Sequence, residues 1–187
     1  MQRELKAIQR RLGTTFVHVT HDQEEAMAIA DMVVVMNEGR IADTGPPERV
    51  YLRPASRFAA SFMGEINLVP ARALPERDGR AMLDTPLGPL PAPSGEALPT
   101  GDAALGIRPE HLGLSGGEGG EGGVQVPGTV IESAFFGTHH RVVLEPRPAG
   151  PPLIAHLPQR ADPAPGQRLV LAFEPGDAVI LPGEDPK

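Results

Sequence analysis

The sequence predicts an α/β segment followed by a small all-β domain, and three observations carry that prediction. Proline is unevenly spread: residues 1–66 hold 3 of the 22 prolines, and residues 67–187 hold the other 19. Before that change helix-period and strand-like stretches alternate; after it, short apolar runs recur between Gly and Pro. Charge divides at the same place, with a net of −1 over 1–66 and −6 over 67–187. Together the 22 Gly and 22 Pro describe a chain rich in turns. The boundary is expected between residues 64 and 67.

In the first segment, RELKAIQRRLG sets Leu5, Ile8 and Leu12 at helical spacing and stops at Gly13. TTFVHVT, residues 14–20, reads as a strand that is apolar or β-branched on both faces apart from His18, as in a covered parallel sheet. DQEEAMAIADM predicts a helix with Ala26, Met27 and Ala30 on one side. Thr20 and Gln23 fit a capping box for it, and Asp22, Glu24 and Glu25 place negative charge in its first turn, where the helix dipole favours it. VVVMNEGRIADTG predicts a strand pair turning at 37–39, and PPERVYLRP and SRFAASFMG predict two short helices. Beyond Asn67 the expected strands are 68–74, 81–85, 103–107, 128–133, 141–145, 153–157, 169–173 and 178–181. Short strands at this density predict a small barrel or sandwich. SGGEGGEGG, residues 115–123, reads as a flexible loop.

Composition excludes several function classes. No apolar stretch approaches the ~20 residues of a membrane-spanning helix. The N-terminal MQRELKAIQRRLG is charged throughout and unlike a secretory signal, so a cytoplasmic location is expected. The absence of Cys rules out disulfides and thiolate-held zinc. A net charge of −7 with one Tyr, six Phe and no Trp offers neither the basic groove nor the stacking rings that nucleic acid requires.

Among candidate functional residues, His21 falls where the expected strand ends and the helix begins. In open α/β sheets ligands bind at that edge. A neutral imidazole there can donate a hydrogen bond to a phosphate oxygen or to an attacking water. The plainer alternative is a partly buried His satisfied by a backbone carbonyl. His139 and His140 are adjacent, so on a strand they face opposite ways and share no metal; both are expected to be exposed. His18, His111 and His156 read as structural, and no metal site is expected. Glu110 in RPEH also reads as structural, while Arg108 is expected to pair with a carboxylate or cap carbonyls inside the barrel. AFFG, residues 134–137, is expected in the core or in a contact between two barrels.

The run FVHVTHDQEEAMAIADMVVVMNEGRIADTGPPERVYLRP closely resembles the end of the ATPase domain in ABC importers of the sugar, polyamine and ferric-iron group. There T-H-D-Q-x-E-A, a helix, A-D, a strand and G-x-I-x-x-x-G-x-P follow one another in this order. LGIRPEHL, residues 105–112, resembles the marker segment of the TOBE domain appended to those ATPases. FMGEINLVPA, residues 62–71, is similar to the approach to that domain in spermidine/putrescine importers.

The resemblance implies an α/β remnant of a P-loop ATPase domain over 1–66 and an all-β OB-like TOBE barrel over 67–187. It implies that His21 is the switch histidine that contacts the ATP γ-phosphate and helps orient the water. Asp22 and Gln23 match the motif beside it but are better read as helix-start residues. For the intact family it implies ATP and Mg, a homodimer through the TOBE domain and docking on membrane-spanning permease subunits at the inner face of the membrane. The implied solute is a polyamine, ahead of ferric iron, phosphonate and sugar.

The sequence also departs from that family. It contains no G-x-x-x-x-G-K-[ST], Gln loop, signature or Walker B pair. LSGGE, residues 114–118, nearly spells the signature, yet it follows His21 and runs into GGEGGVQVPG, which cannot begin a helix. The chain is therefore read as a C-terminal fragment, inactive alone and without ATP or Mg of its own. Its first part is expected to bury only a marginal core and to leave strand edges open. Two alternatives stand beside this reading: a stand-alone TOBE-type module that binds a small ligand such as an oxyanion, and an interaction module that pairs with a separately encoded N-terminal piece.

Overall fold

A computed structural model describes residues 2–77, 79–116, 123–147 and 149–183, and the chain divides into two compact units, Met1–Gly64 and Glu65–Lys187. Most of the glycine-rich run at 115–123 lies outside the described residues.

The first unit follows its local signals. Helix α1 spans Gln2–Leu12, and α2 spans Gln23–Ile29. Strands β1 (Val33–Asn37) and β2 (Arg40–Gly45) form an antiparallel hairpin. Its two-residue turn has positive φ at both Glu38 (48°) and Gly39 (77°), the twist that a tight hairpin demands. Helices α3 (Pro47–Leu52) and α4 (Arg57–Phe62) follow, the first opened by proline and the second capped by the Ser56 hydroxyl. Val33, Val35, Val50, Ala59 and Met63 make the core. Asp43 is buried beside it and accepts from the Arg49 guanidinium and from the backbone N–H groups of Thr44 (2.7 Å) and Ala55 (2.8 Å). Burial pushes the Asp43 carboxyl up, but Arg49 and these N–H donors outweigh it and hold the pKa below 3.8.

Two expectations fail in this unit. Residues 14–20 form no strand; Val17 and Val19 are 90% and 92% exposed. An extended segment becomes a strand only when a neighbour pairs its backbone, and among the described residues none does. The cap of α2 is Asp22, whose carboxylate accepts from Glu25 N–H, rather than Thr20. Aspartate at this position competes well with threonine because a carboxylate is the stronger acceptor.

Among the described residues, every strand pair of the second unit is antiparallel. One sheet runs β10-β9-β8-β11-β7, where β7 is Gly113–Leu114, β8 Val124–Phe135, β9 His139–Pro146, β10 Leu153–Pro158 and β11 Arg168–Phe173. The other runs β12-β6-β3-β4-β5, where β3 is Asn67–Arg77, β4 Arg80–Asp84, β5 Leu90–Pro91, β6 Ala103–Ile107 and β12 Val179–Pro182. Every expected strand of this half forms; β5 and β7 are additions. Their two-residue length leaves no period to read, so pairing alone defines them.

The core draws on both sheets, with Val69, Leu83, Leu105, Ile107, Val142, Leu144, Leu153, Leu157 and Leu171 all essentially inaccessible. A buried amide joins the sheets. Asn67, at the start of β3, donates through Nδ2 to the carbonyls of Ile107 (3.0 Å) and Ile154 (2.8 Å), and its Oδ1 accepts from Ile154 N–H at 2.7 Å. Its side chain thus pairs with one residue of β10 as a backbone peptide would. Strand β10 also lies against β7 and the 3₁₀ turn Pro109–His111, so the barrel is nearly closed.

Candidate functional site

The turn that presents His21 is held by its own neighbours. Thr20 Oγ accepts from Asp22 N–H at 3.0 Å and donates to Glu25 Oε2 at 3.0 Å. Asp22 Oδ1 accepts from Glu25 N–H at 3.0 Å, and His18 Nε2 lies 3.3 Å from Glu25 Oε2. Residues 20, 22 and 25 therefore form a small closed network on which His21 stands exposed, directly ahead of the α2 cap. The structure places His21 before a helix start, as expected, but not at the end of a strand. An exposed imidazole here is free to act as a donor or acceptor toward an incoming group. His18 is exposed too, and its partner is Glu25 rather than the core.

A second cluster occupies one face of the barrel, and sequence reasoning missed it. Glu65 accepts two bonds from Arg141 Nε, to Oε1 (3.0 Å) and Oε2 (3.2 Å), and a third from Nη2 to Oε1 (2.8 Å). His156 Nε2 lies 3.4 Å from Glu65 Oε2. Arg108 is buried and donates through Nη1 to the Glu65 carbonyl at 2.9 Å, which is the carbonyl-capping role expected of it. The hydrogen bonds from Arg141 hold the Glu65 carboxyl below its ordinary range, and Glu65 in turn raises Arg141.

His139 packs on His156 with ring centroids 4.0 Å apart, and Phe136 lies over His139 at 5.6 Å. Burial, then the nearby His156, lowers the His139 pKa. The pairing arises from register. His139 stands opposite Pro158 and Arg141 opposite His156, so His139, Arg141 and His156 share one face. His140 points the other way and meets Phe135 at 5.1 Å, consistent with the expected alternation. Both His139 and His140 are half-buried rather than exposed, because each ring lies against an aromatic neighbour. Period two alone puts residues 139 and 141 together; only the register of β9 on β10 adds 156.

Phe135 and Phe136 are 62% and 59% exposed, so they are not core; their hairpin runs past the end of the packed interior. Glu110 sits exposed in the 3₁₀ turn, and His111 Nδ1 lies 3.1 Å from the Asp177 carbonyl. Of the signature look-alike, Leu114 is in β7, Ser115 and Gly116 are in a turn, and residues 117–118 lie outside the described residues. Among the described residues no group of three or more His, Asp or Glu could hold a metal ion, and no helix is long and apolar enough to cross a membrane.

Part of this chain is similar to a described domain family, and most of it to named proteins. Residues 105–181 match the profile described as TOBE domain. The chain is 41% identical over 180 residues to the Fe(3+) ions import ATP-binding protein FbpC of Streptomyces avermitilis, covering 96% of this chain and 49% of that protein. It is 44% identical over 147 residues to the spermidine/putrescine import ATP-binding protein PotA 1 of Pseudomonas aeruginosa, covering 74% and 37%. To PotA of Oleidesulfovibrio alaskensis it is 36% identical over 198 residues, covering 99% and 52%. The chain thus spans about half the length of the curated relatives it matches. In fold it is similar to the cytoplasmic molybdate-binding protein ModG, with a TM-score of 0.50 and 12% identity over 63% of this chain and 96% of that one.

Proposed function

We propose, from the premise that this chain is a TOBE-domain relative of the ATP-binding subunits of ABC importers, that it is the C-terminal portion of such a subunit. In this reading residues 1–66 end the nucleotide-binding domain, residues 67–187 form the TOBE barrel, and His21 is the switch histidine. The observation that carries it is the T-H-D-Q-E-E-A run. It places an exposed His21 on a turn braced by Thr20, Asp22 and Glu25, within a chain whose relatives are named for ATP binding. Its imidazole would donate to the γ-phosphate and orient the water, and Glu25, through Thr20, would keep the turn in place.

The same reading makes the chain inactive alone. Phosphate binding of this type needs successive backbone N–H groups and a Lys that cradle the anion. The two lysines here, Lys6 and Lys187, follow Leu and Pro and belong to no such loop. One contributor to a transition state does not assemble the rest. The complete subunit would bind ATP with Mg, dimerise with its TOBE domain contributing, and work beside permease subunits at the inner face of the membrane. A polyamine is the first solute and ferric iron the second, since the named relatives include importers of both.

The test is complementation. The purified chain is assayed for ATP hydrolysis alone and after co-expression with an upstream fragment that carries a phosphate loop, signature and Walker B pair. Hydrolysis that appears only in the pair and disappears with His21→Ala supports the proposal. Hydrolysis by the chain alone above a His21→Ala control refutes it. A second reading, a stand-alone ligand-binding module, is favoured by the likeness of the barrel to ModG. Saturable binding of molybdate to the chain would select that reading.

A further inference from the structure

The barrel leaves an open groove that the importer reading does not use. Strands β10 and β7 are the two edges of their sheet; they lie near one another, yet among the described residues they do not pair. At this seam lies a groove of 660 Å³, within the size range of small-molecule sites. We propose that the groove binds a small organic cation, an ammonium group carried on one apolar body such as an aromatic ring or a branched alkyl group.

The floor argues for the apolar body. Leu114 of β7, Ala161 after β10 and Phe173 at the end of β11 line the groove, and all three belong to or pack on the barrel core. Phe173 is 4% exposed and the other two are half-buried, so the groove reaches down to the core. A ring or alkyl group that enters covers apolar area still open to water, which supplies the driving force.

The rim argues for the charge. Glu110, Glu174 and Asp177 line the groove against one guanidinium, Arg160: three negative charges and one positive, a formal net of −2. Glu174 and Asp177 are exposed, so an ammonium can meet them at the water boundary and keep part of its hydration while its body is buried. Asp177 ends the 3₁₀ turn Pro175–Asp177, and its carbonyl lies 3.1 Å from His111 Nδ1 in the turn Pro109–His111. That contact ties together the two turns that carry the carboxylates, so the acidic side is held in place before a ligand arrives. An oxyanion would meet the wrong sign here. A polyamine shares the required sign, but its several ammonium groups would lay charge across the apolar floor. The inference concerns the barrel alone and does not depend on the importer reading.

The experiment follows the amide NMR signals of the full chain during titration with 2-phenylethylammonium chloride near neutral pH. In parallel titrations, 3-phenylpropionate keeps the ring and reverses the charge, and putrescine keeps positive charge without the ring. The expected result is saturable shifts at Leu114, Ala161 and Phe173 with phenylethylammonium, and binding at least about tenfold weaker for the other two. Glu174→Gln and Asp177→Asn should each weaken binding about two- to fivefold, the scale of an exposed ion pair, and together about tenfold. Ala161→Trp, which fills the groove, should abolish it. Asp102→Asn, which removes an exposed carboxylate that pairs with Arg72 of β3, should leave it unchanged. Barrel amide spectra check that each variant is folded, and the two exposed carboxylates carry the test should Ala161→Trp not fold. Equal affinity for 3-phenylpropionate or putrescine, unchanged affinity in the Glu174→Gln, Asp177→Asn double variant, or no saturable shift in the groove overturns the proposal.

Discussion

Replacing Asn67 by Leu tests how the barrel closes. Leucine has nearly the same shape, so the substitution leaves little cavity and removes chiefly the amide's hydrogen bonds. Asn67 is 5% exposed, and its bonds to Ile107 O, Ile154 O and Ile154 N–H run from 2.7 to 3.0 Å. The carbonyl of Ile107 lies within the β3–β6 pairing and loses only a supplementary donor. The Ile154 peptide is the costly loss, because the partner strand that would otherwise satisfy it is replaced here by a side chain. An orphaned buried polar group costs about 1–3 kcal/mol. With one donor and one acceptor exposed to that fate and some hydration at the strand edge, the net is about 2–4 kcal/mol.

For a urea dependence of about 2 kcal/mol per molar, that loss moves the barrel midpoint down by about 1–2 M. The chain has no Trp, and its single Tyr is in the first unit, so the barrel transition is followed through amide NMR signals of Leu144, Leu153 and Leu171. Asn67→Asp is the companion variant. It keeps the acceptor for Ile154 N–H but turns a donor into a buried carboxylate facing two carbonyls, and should be at least as damaging. A midpoint within experimental error of wild type for Asn67→Leu would refute the view that one side chain completes the ladder between the sheets.

Three further outcomes follow from the same structure. Asp43→Asn should destabilise the first unit by about 2–3 kcal/mol near neutral pH, since Arg49 loses its buried counter-charge. The wild-type contribution of Asp43 is full above pH 3.8 and is lost as pH falls through its lower folded value, so an acid series of thermal midpoints should be flatter in the variant. Gly128→Ala should cost about 2–4 kcal/mol in chemical denaturation, because a Cβ there would lie 2.5 Å from the Glu145 carbonyl oxygen in the paired strand. Asp22→Ala should remove about 1 kcal/mol of helix capping, seen as faster hydrogen exchange at Glu25 with barrel amides unchanged.

How much of this was legible depended on how far each feature's causes lie along the chain. The β1–β2 turn at Asn37–Gly39, the Pro-led α3 and the Ser56-capped α4 are satisfied within a few residues, and the letters there sufficed. The barrel strands were legible because alternation and Gly/Pro punctuation are local too. Residues 14–20 show the limit: valine, threonine and phenylalanine describe a segment fit for a strand, but a strand exists only against a partner. The meeting of His139 with His156 was hidden for a related reason. It is set by the register His139 to Pro158, and that register is fixed by Val142, Leu144, Leu153, Ala155 and Leu157 turning into the core. The cap of α2 failed differently, as a competition between Thr20 and Asp22 that geometry settled.

The two candidate sites should accordingly respond differently to damage. The His21 turn is tied together across a few residues by Thr20, Asp22 and Glu25, so its shape needs no distant contact. The His139–His156–Glu65 cluster joins residues up to 91 positions apart and inherits its shape from the barrel. Breaking the Asn67 bridge perturbs Ile154, two residues from His156 on the same strand, and should spread through β10 into the cluster. Perturbations that share no partners add independently. In a double variant, Asn67→Leu and Asp22→Ala should therefore sum in stability, whereas Asn67→Leu and His156→Ala should not.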